Sequence, residues 1–262
     1  MIEFLKAGNK NYTKKDLIAT LEKLEIQEGD TICMHTELFK FGTALLPKKQ
    51  HLSIYIEAIL DIIGKNGTLI MPVFSYSFCK NEVYNKLYSK SKVGVLNEFF
   101  RLWEGVKRNN DPIFSFAIKG KNEKEFLKEQ TSCFGEDCVY DMLSKINGKI
   151  ILLGSKTNGY TFTHFIEEKA RVPYRYFKEF QGKIIFENGM SKNIKINYYV
   201  RKLDINSDLD VYKQIKILQE DDNFKVENFA NSCIVSINAN KYLQATLKAL
   251  KKMHIVCYKG KS

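Results

Sequence analysis

The stretch from Thr31 to Phe74 narrows the choice of fold more than any other part of the chain. Thr31 to His35 is a short apolar run that reads as a strand, and Thr36-Glu37-Leu38-Phe39-Lys40-Phe41-Gly42 closes it into a loop. Lys49 to Ile63 then reads as a helix, and Gly64-Lys65-Asn66-Gly67 turns the chain into a second strand, Thr68 to Phe74. Strand, loop, helix, turn, strand is the unit from which sheets flanked by helices are assembled. The expectation is an α/β fold.

The rest of the chain extends that pattern. Thr13-Lys14-Lys15-Asp16 resembles a capping box with Asp as the reciprocal acid, and Leu17, Ile18, Leu21 and Leu24 follow at helical spacing. Gly94 to Trp103 and Val139 to Lys145 read as helices, Ile113 to Ile118 and Lys149 to Leu153 as strands. The tail adds a helix over Val211 to Leu218, a strand over Cys233 to Ile237 and a helix over Asn240 to Lys251. Residues 75–92 have no clean period and read as a mobile or substrate-facing loop. No linker cuts the chain, so one domain over residues 1–262 is expected, with a less regular, substrate-side region around 171–205 that holds hairpin-like segments.

Composition limits the classes of function. No run approaches the roughly 18 apolar residues of a membrane span, and Met1-Ile2-Glu3-Phe4-Leu5-Lys6 lacks the features of a signal peptide, so the default expectation is cytoplasmic. Six cysteines, Cys33, Cys79, Cys133, Cys138, Cys233 and Cys257, are too scattered for a disulfide scaffold and read as buried thiols of a reducing compartment. The formal charge of +11 favours anionic partners, a phosphorylated cofactor among them. Its lysines are dispersed rather than gathered in a stripe, which argues against nucleic acid.

Gly154 to Glu168 is where chemistry concentrates. A Gly/Ser/Asn-rich turn follows the Lys149–Leu153 strand and leads into a helical stretch carrying His164 and, three residues on, Glu167. Imidazole exchanges a proton near neutral pH, and residues three apart share a helix face. By spacing alone the pair is either an acid–base site at a sheet edge or a surface His–Glu pair. His35 ends the first strand, where open sheets bind ligands and where core histidines also sit. No metal is expected: His51 and His254 lie in ordinary contexts, and no HExxH or Cys/His spacing exists. The P-loop, GxGxxG and GxSxG motifs are absent, and nothing local activates Cys79 or Cys138.

Six blocks in order between residues 17 and 175 resemble the aminoglycoside 3-N-acetyltransferase family: Met34 to Gly42, Gly67 to Phe74, Gly94 to Arg101, Asp111 to Gly120, Phe134 to Glu136 with Asn147 to Gly154, and Thr161 to Glu167. The first is similar to the family's His-Ser/Thr-x-Leu…Gly loop and the last to its Thr-x-x-His-x-x-Glu. The resemblance implies a layered α/β/α fold with a central mixed sheet flanked by helices, and an acetyl-CoA-dependent acyltransferase. It implies His164 as general base, Glu167 orienting and polarising it, and Thr161 as a donor to the developing oxyanion, although Thr161 also reads as a helix N-cap. His35, Thr36, Phe41, Gly42 and Thr43 resemble the part that receives the pantetheine and phosphates of CoA, with Arg101 and Ser115 as further cofactor-side positions. Phe74, Tyr76 and Asp111 are expected on the acceptor side. Direct attack on a thioester needs neither a metal nor a covalent enzyme intermediate.

Two departures bear on the acceptor. Asp111 and Phe114 stand where the family pattern carries paired histidines, and Asp111 reads as a partner for an amine or as a turn cap. A charge of +11 also suits a polycationic drug poorly. The expected acceptor is therefore an amine-bearing amino sugar, nucleotide-linked or otherwise anionic, as in surface-glycan assembly. An aminoglycoside antibiotic, sugar O-acetylation and a non-catalytic anion- or RNA-binding protein are the alternatives. The aromatic segment Tyr174 to Phe180 reads as cover for a pocket or for the second copy in a homodimer.

Overall fold

The computed structural model describes residues 2–253, so Cys257 and His254 lie outside the described residues. The chain opens with a hairpin of β1 (Glu3–Ala7) and β2 (Lys10–Thr13). Thr13 then caps α1 (Lys14–Lys23) through the expected capping box: its hydroxyl accepts from Asp16 N, and the Asp16 carboxylate accepts from Thr13 N at 2.7 Å. Next come β3 (Thr31–Thr36), the short β4 (Thr43–Ala44), α2 (Lys48–Ile63) and β5 (Thr68–Pro72), the unit read from the sequence. The chain continues through β6 (Tyr84–Asn85), α3 (Val95–Arg101), β7 (Lys107–Arg108), β8 (Phe116–Gly120), α4 (Val139–Lys145), β9 (Lys149–Leu153) and α5 (Phe162–Ala170). It ends with β10 (Arg175–Ile185), β11 (Ser191–Arg201), α6 (Val211–Glu220), β12 (Lys225–Phe229), β13 (Ser232–Asn238) and α7 (Ala239–Met253).

Seven strands form the central sheet in the order β12-β13-β9-β3-β5-β8-β7. β9, β3 and β5 run parallel and the outer pairs antiparallel, so the sheet is mixed as expected. The three parallel strands are buried almost throughout, as strands covered on both faces are. Their alternation splits the core in two. Ile32, Met34, Leu69, Met71, Ile151 and Leu153 face α1, α2 and α3, whereas Cys33, Ile70, Ile150 and Leu152 face α4, α5 and α7. The result is the layered α/β/α arrangement. Among the described residues, no helix is long and apolar enough to cross a membrane.

Three segments differ from the sequence reading. Residues 75–92 are pinned rather than mobile: Phe78 and Tyr84 are buried, and the buried Arg108 donates to the carbonyls of Lys86 and Ser89. The strand expected from Ile113 begins only at Phe116, because the Asp111 carboxylate accepts from Ile113 N and Phe114 N and holds a turn there. The hairpin-like segments expected within 171–205 are there, but they form one regular hairpin whose two strands of 11 residues pair from Arg175↔Arg201 to Ile185↔Ser191. Cys33, Cys133, Cys138 and Cys233 are buried free thiols, while Cys79 is exposed.

Candidate active site

β3 and β9 pair directly, His35 opposite Leu152, and both end at the same edge of the sheet. Beyond β9 the chain turns at Gly154, crosses in front of β3 and enters α5. This brings the first and last blocks of the sequence pattern together. A cavity of about 270 Å³ opens there, lined by His35, Thr36, Phe74, Tyr76, Asn97, Leu152, Ser155, Asn158, Gly159 and Thr161 among others. A second cavity, of about 500 Å³, lies on the far side of the same turn and is lined by His164, Arg175, Tyr198, Arg201, Asp208 and Leu209 among others. Asn158, Gly159 and Thr161 belong to both and form the wall between them.

His164 is held from behind. Its Nδ1 lies 3.0 Å from Glu167 Oε2, and its side chain is 25% exposed while that of Glu167 is 1% exposed. Glu167 also accepts from the Tyr174 hydroxyl at 3.1 Å and from Arg175 Nη2 at 2.8 Å. Burial pushes its carboxyl up, but the hydrogen bonds of His164 and Tyr174 and the charge of Arg175 outweigh that and hold it below the usual carboxylate range. Burial and then Arg175 lower the His164 imidazole, against the pull of Glu167. Both effects favour the neutral imidazole, the form that can accept a proton. The Glu167 carboxylate is buried, so the two side chains are not a solvent-exposed helix pair.

Thr161 precedes α5 without spending its hydroxyl on a cap. That hydroxyl lies against buried Tyr140, whose own hydroxyl is 3.2 Å from His35 Nε2. Burial pushes His35 down to about 4, so it stays neutral. Thr36 Oγ1 donates to Asn97 Oδ1 at 2.6 Å, and Asn97 Nδ2 donates to Pro72 O at 2.7 Å, which ties the strand end to α3.

Several expected site residues stand elsewhere. Phe41 is fully buried against Tyr55 and Phe229, Gly42 is where the chain passes under Lys6 O, and Thr43 pairs in β4 with β1. Arg101 clamps Glu98 and the Leu87 carbonyl. Ser115 is fully buried, accepting from Arg108 and donating to Val73 O. Asp111 is buried as a turn cap that also accepts from Gln130, and burial pushes its carboxyl up. Phe74 and Tyr76 line the first cavity, beside His35, and not the one that His164 faces. Conversely, Tyr140, Tyr174, Arg175, Asn97 and Asn158 line or support the two cavities, and none of them is among the individually expected site residues. Their partners are brought in by tertiary contacts that no local motif records. Among the described residues, no group of three or more His, Cys, Asp and Glu side chains is placed to hold a metal.

A family model described as aminoglycoside 3-N-acetyltransferase matches residues 34–251. The chain is 25% identical over 199 residues to the SPbeta prophage-derived aminoglycoside N(3')-acetyltransferase-like protein YokD of Bacillus subtilis (strain 168), covering 67% of this chain and 71% of that protein. Its fold is similar to that of AAC-IIIb in binary complex with CoASH (TM-score 0.79, 18% identity, 96% of this chain and 99% of that one). It is equally similar to that of sisomicin-bound AAC-VIa (TM-score 0.79, 17% identity, 93% and 99%).

Proposed function

The chain belongs to the aminoglycoside 3-N-acetyltransferase family, and from that premise we propose that it moves the acetyl group of acetyl-CoA onto an amine of an aminoglycoside-type amino sugar, with His164 as general base. The first cavity suits the donor: a slot polar at Thr36, Ser155 and Asn158 and apolar at Phe74 and Leu152 matches a thin arm of alternating amides and methylenes. The donor brings an activated acetyl thioester, and everything else falls to the chain. His164, with Nδ1 toward Glu167, leaves Nε2 for an acceptor in the second cavity. As the amine nitrogen bonds to the acetyl carbon, its proton passes to Nε2. As the carbon–sulfur bond breaks, that proton goes on to sulfur. Thr161, in the wall between the cavities with its hydroxyl not used as a cap, donates to the oxygen on which charge develops.

The observation that carries this reading is the setting of His164, with a buried carboxylate behind it, an open cavity ahead and Thr161 between it and the donor slot. Relatives named for aminoglycoside acetylation support an aminoglycoside as acceptor. One feature favours a second acceptor, an amino sugar bearing an anionic group such as a nucleotide-linked one. Asp208 is the only carboxylate among the described residues lining the second cavity, and it is paired with Arg201.

The test is acetyl-CoA turnover against aminoglycosides, free amino sugars and nucleotide-linked amino sugars, with mass spectrometry of the product to separate N- from O-acetylation. His164→Gln is expected to lower kcat about 10²- to 10⁴-fold with little change in KM for acetyl-CoA, since the residue lines the other cavity. Undiminished turnover would remove His164 as the base.

A further inference from the structure

Arg175 is a buried group of the second cavity that a base and its carboxylate do not account for. Its side chain is 2% exposed, and Nη1 donates to Tyr199 O at 3.0 Å, which fixes the guanidinium on the hairpin. Nη2 lies 2.8 Å from Glu167 Oε2 and 2.8 Å from His164 Nδ1, and those two atoms are 3.0 Å apart. No arrangement of protons satisfies all three edges of this triangle. With Nδ1 bare, Nη2 donates twice, but the lone pairs of Nδ1 and Oε2 face each other. With Nδ1 protonated, the ring and the guanidinium both donate to Glu167, but two N–H groups face each other. A buried His–Glu pair on its own would have no such conflict and would hold a proton on the ring.

We propose that Arg175 is a positioning residue for acetyl transfer: it takes a share of Glu167, so that the carboxylate orients the His164 ring without holding a proton on Nε2. This rests on His164 being the base. A base in this reaction takes the amine proton on Nε2 and then gives it up to sulfur, and a permanent cation beside Nδ1 keeps that hold weak. The charged and titratable groups facing the ring are few. Glu167 comes from its own helix, Arg175 from β10, and Arg201 and the un-ionised Tyr198 phenol from β11. Of the two arginines Arg175 acts more strongly on the ring, and Arg201 is engaged with Asp208.

The test is an NMR titration of protein labelled with ¹⁵N in its four histidines, with His164 assigned from its loss in His164→Gln. In Arg175→Gln the protonation midpoint of His164 is expected to rise by about one pH unit or more, while Arg175→Lys, which keeps the charge, stays near wild type. The acid limb of kcat/KM for the best acceptor should move by the same amount, with the high-pH plateau largely kept. Glu167→Gln, which leaves the ring facing Arg175 alone, should lower the midpoint, and it provides a reading even where Arg175→Gln fails to fold. An unmoved midpoint in a folded Arg175→Gln, or a raised one in Glu167→Gln, would overturn the proposal. The midpoint is read without substrate, so it stands apart from whether His164→Gln abolishes turnover.

Discussion

Gly159 is the residue where a single methyl group would be felt most. It sits in the wall common to both cavities with φ +99°, and a Cβ there would lie 2.8 Å from His35 Cβ, 2.8 Å from Leu152 Cδ2 and 3.0 Å from His35 Cγ. His35 and Leu152 are register partners in adjacent parallel strands, so neither Cα can step aside. In Gly159→Ala the backbone conformation costs about 1–3 kcal/mol and the forced contact about 1–3 kcal/mol more. A central figure of about 4 kcal/mol lowers Tm by roughly 8–16 °C for a chain of this size. The same methyl drives the His35 ring into the donor slot, and about 1.4 kcal/mol of lost binding there is about tenfold in KM for acetyl-CoA. Gly189→Ala is the matched control, because φ is +80° but nothing lies within 4 Å of the added Cβ. It should show the backbone cost alone and an unchanged KM. Thermal scans and steady-state kinetics on the two variants decide the matter. If Gly159→Ala matches Gly189→Ala in both, the tight wall between the cavities is refuted.

Other outcomes follow from the same geometry. Glu167→Gln should destabilise the fold by about 3 kcal/mol, measured by urea unfolding, because it leaves the buried Arg175 guanidinium without its counter-charge. Asp111→Asn should cost about 1 kcal/mol through its turn and leave acceptor KM unchanged; a tenfold rise in that KM would return Asp111 to the acceptor site. His35 carries a pH signature. Its folded value, about 4, lies below the ordinary histidine value, so its contribution to stability is complete above about pH 6.5 and is lost as pH falls toward 4. Over that window the wild type should lose about 3 kcal/mol more than His35→Gln does, and equal losses by urea unfolding would contradict a buried neutral ring.

What the sequence discloses depends on how local the cause is. The apolar runs at Thr31, Thr68 and Lys149 become β3, β5 and β9 because a strand covered on both faces needs apolar residues at every position. The Thr13 cap and the α4 bounds are equally legible, being set by residues within one turn. The hairpin of β1 and β2 is not among the expected elements, although Gly8-Asn9 between two short runs is a two-residue turn signal. His164 and Glu167 are legible as a pair because one helix turn joins them. Arg175 is not. The stretch Pro173-Tyr174-Arg175-Tyr176 says nothing of the guanidinium's partners, which are set by how the hairpin leaves α5. Ser115 and Arg101 show the opposite case, polar residues that the family resemblance puts beside the cofactor but whose partners are main-chain carbonyls, Arg108 and Glu98. Spacing cannot tell a side chain that holds a loop from one that holds a substrate.

The two cavities share only the wall of Asn158, Gly159 and Thr161. If the first cavity takes the donor and the second the acceptor, as proposed, neither substrate has to leave before the other enters. A single molecule could exploit this. A pantetheine-like arm joined to an amino sugar by a linker passing Thr161 would occupy both halves at once, turning two modest affinities into one through effective concentration. Its potency would hinge on linker length, because a tether too short to pass that wall leaves one half outside.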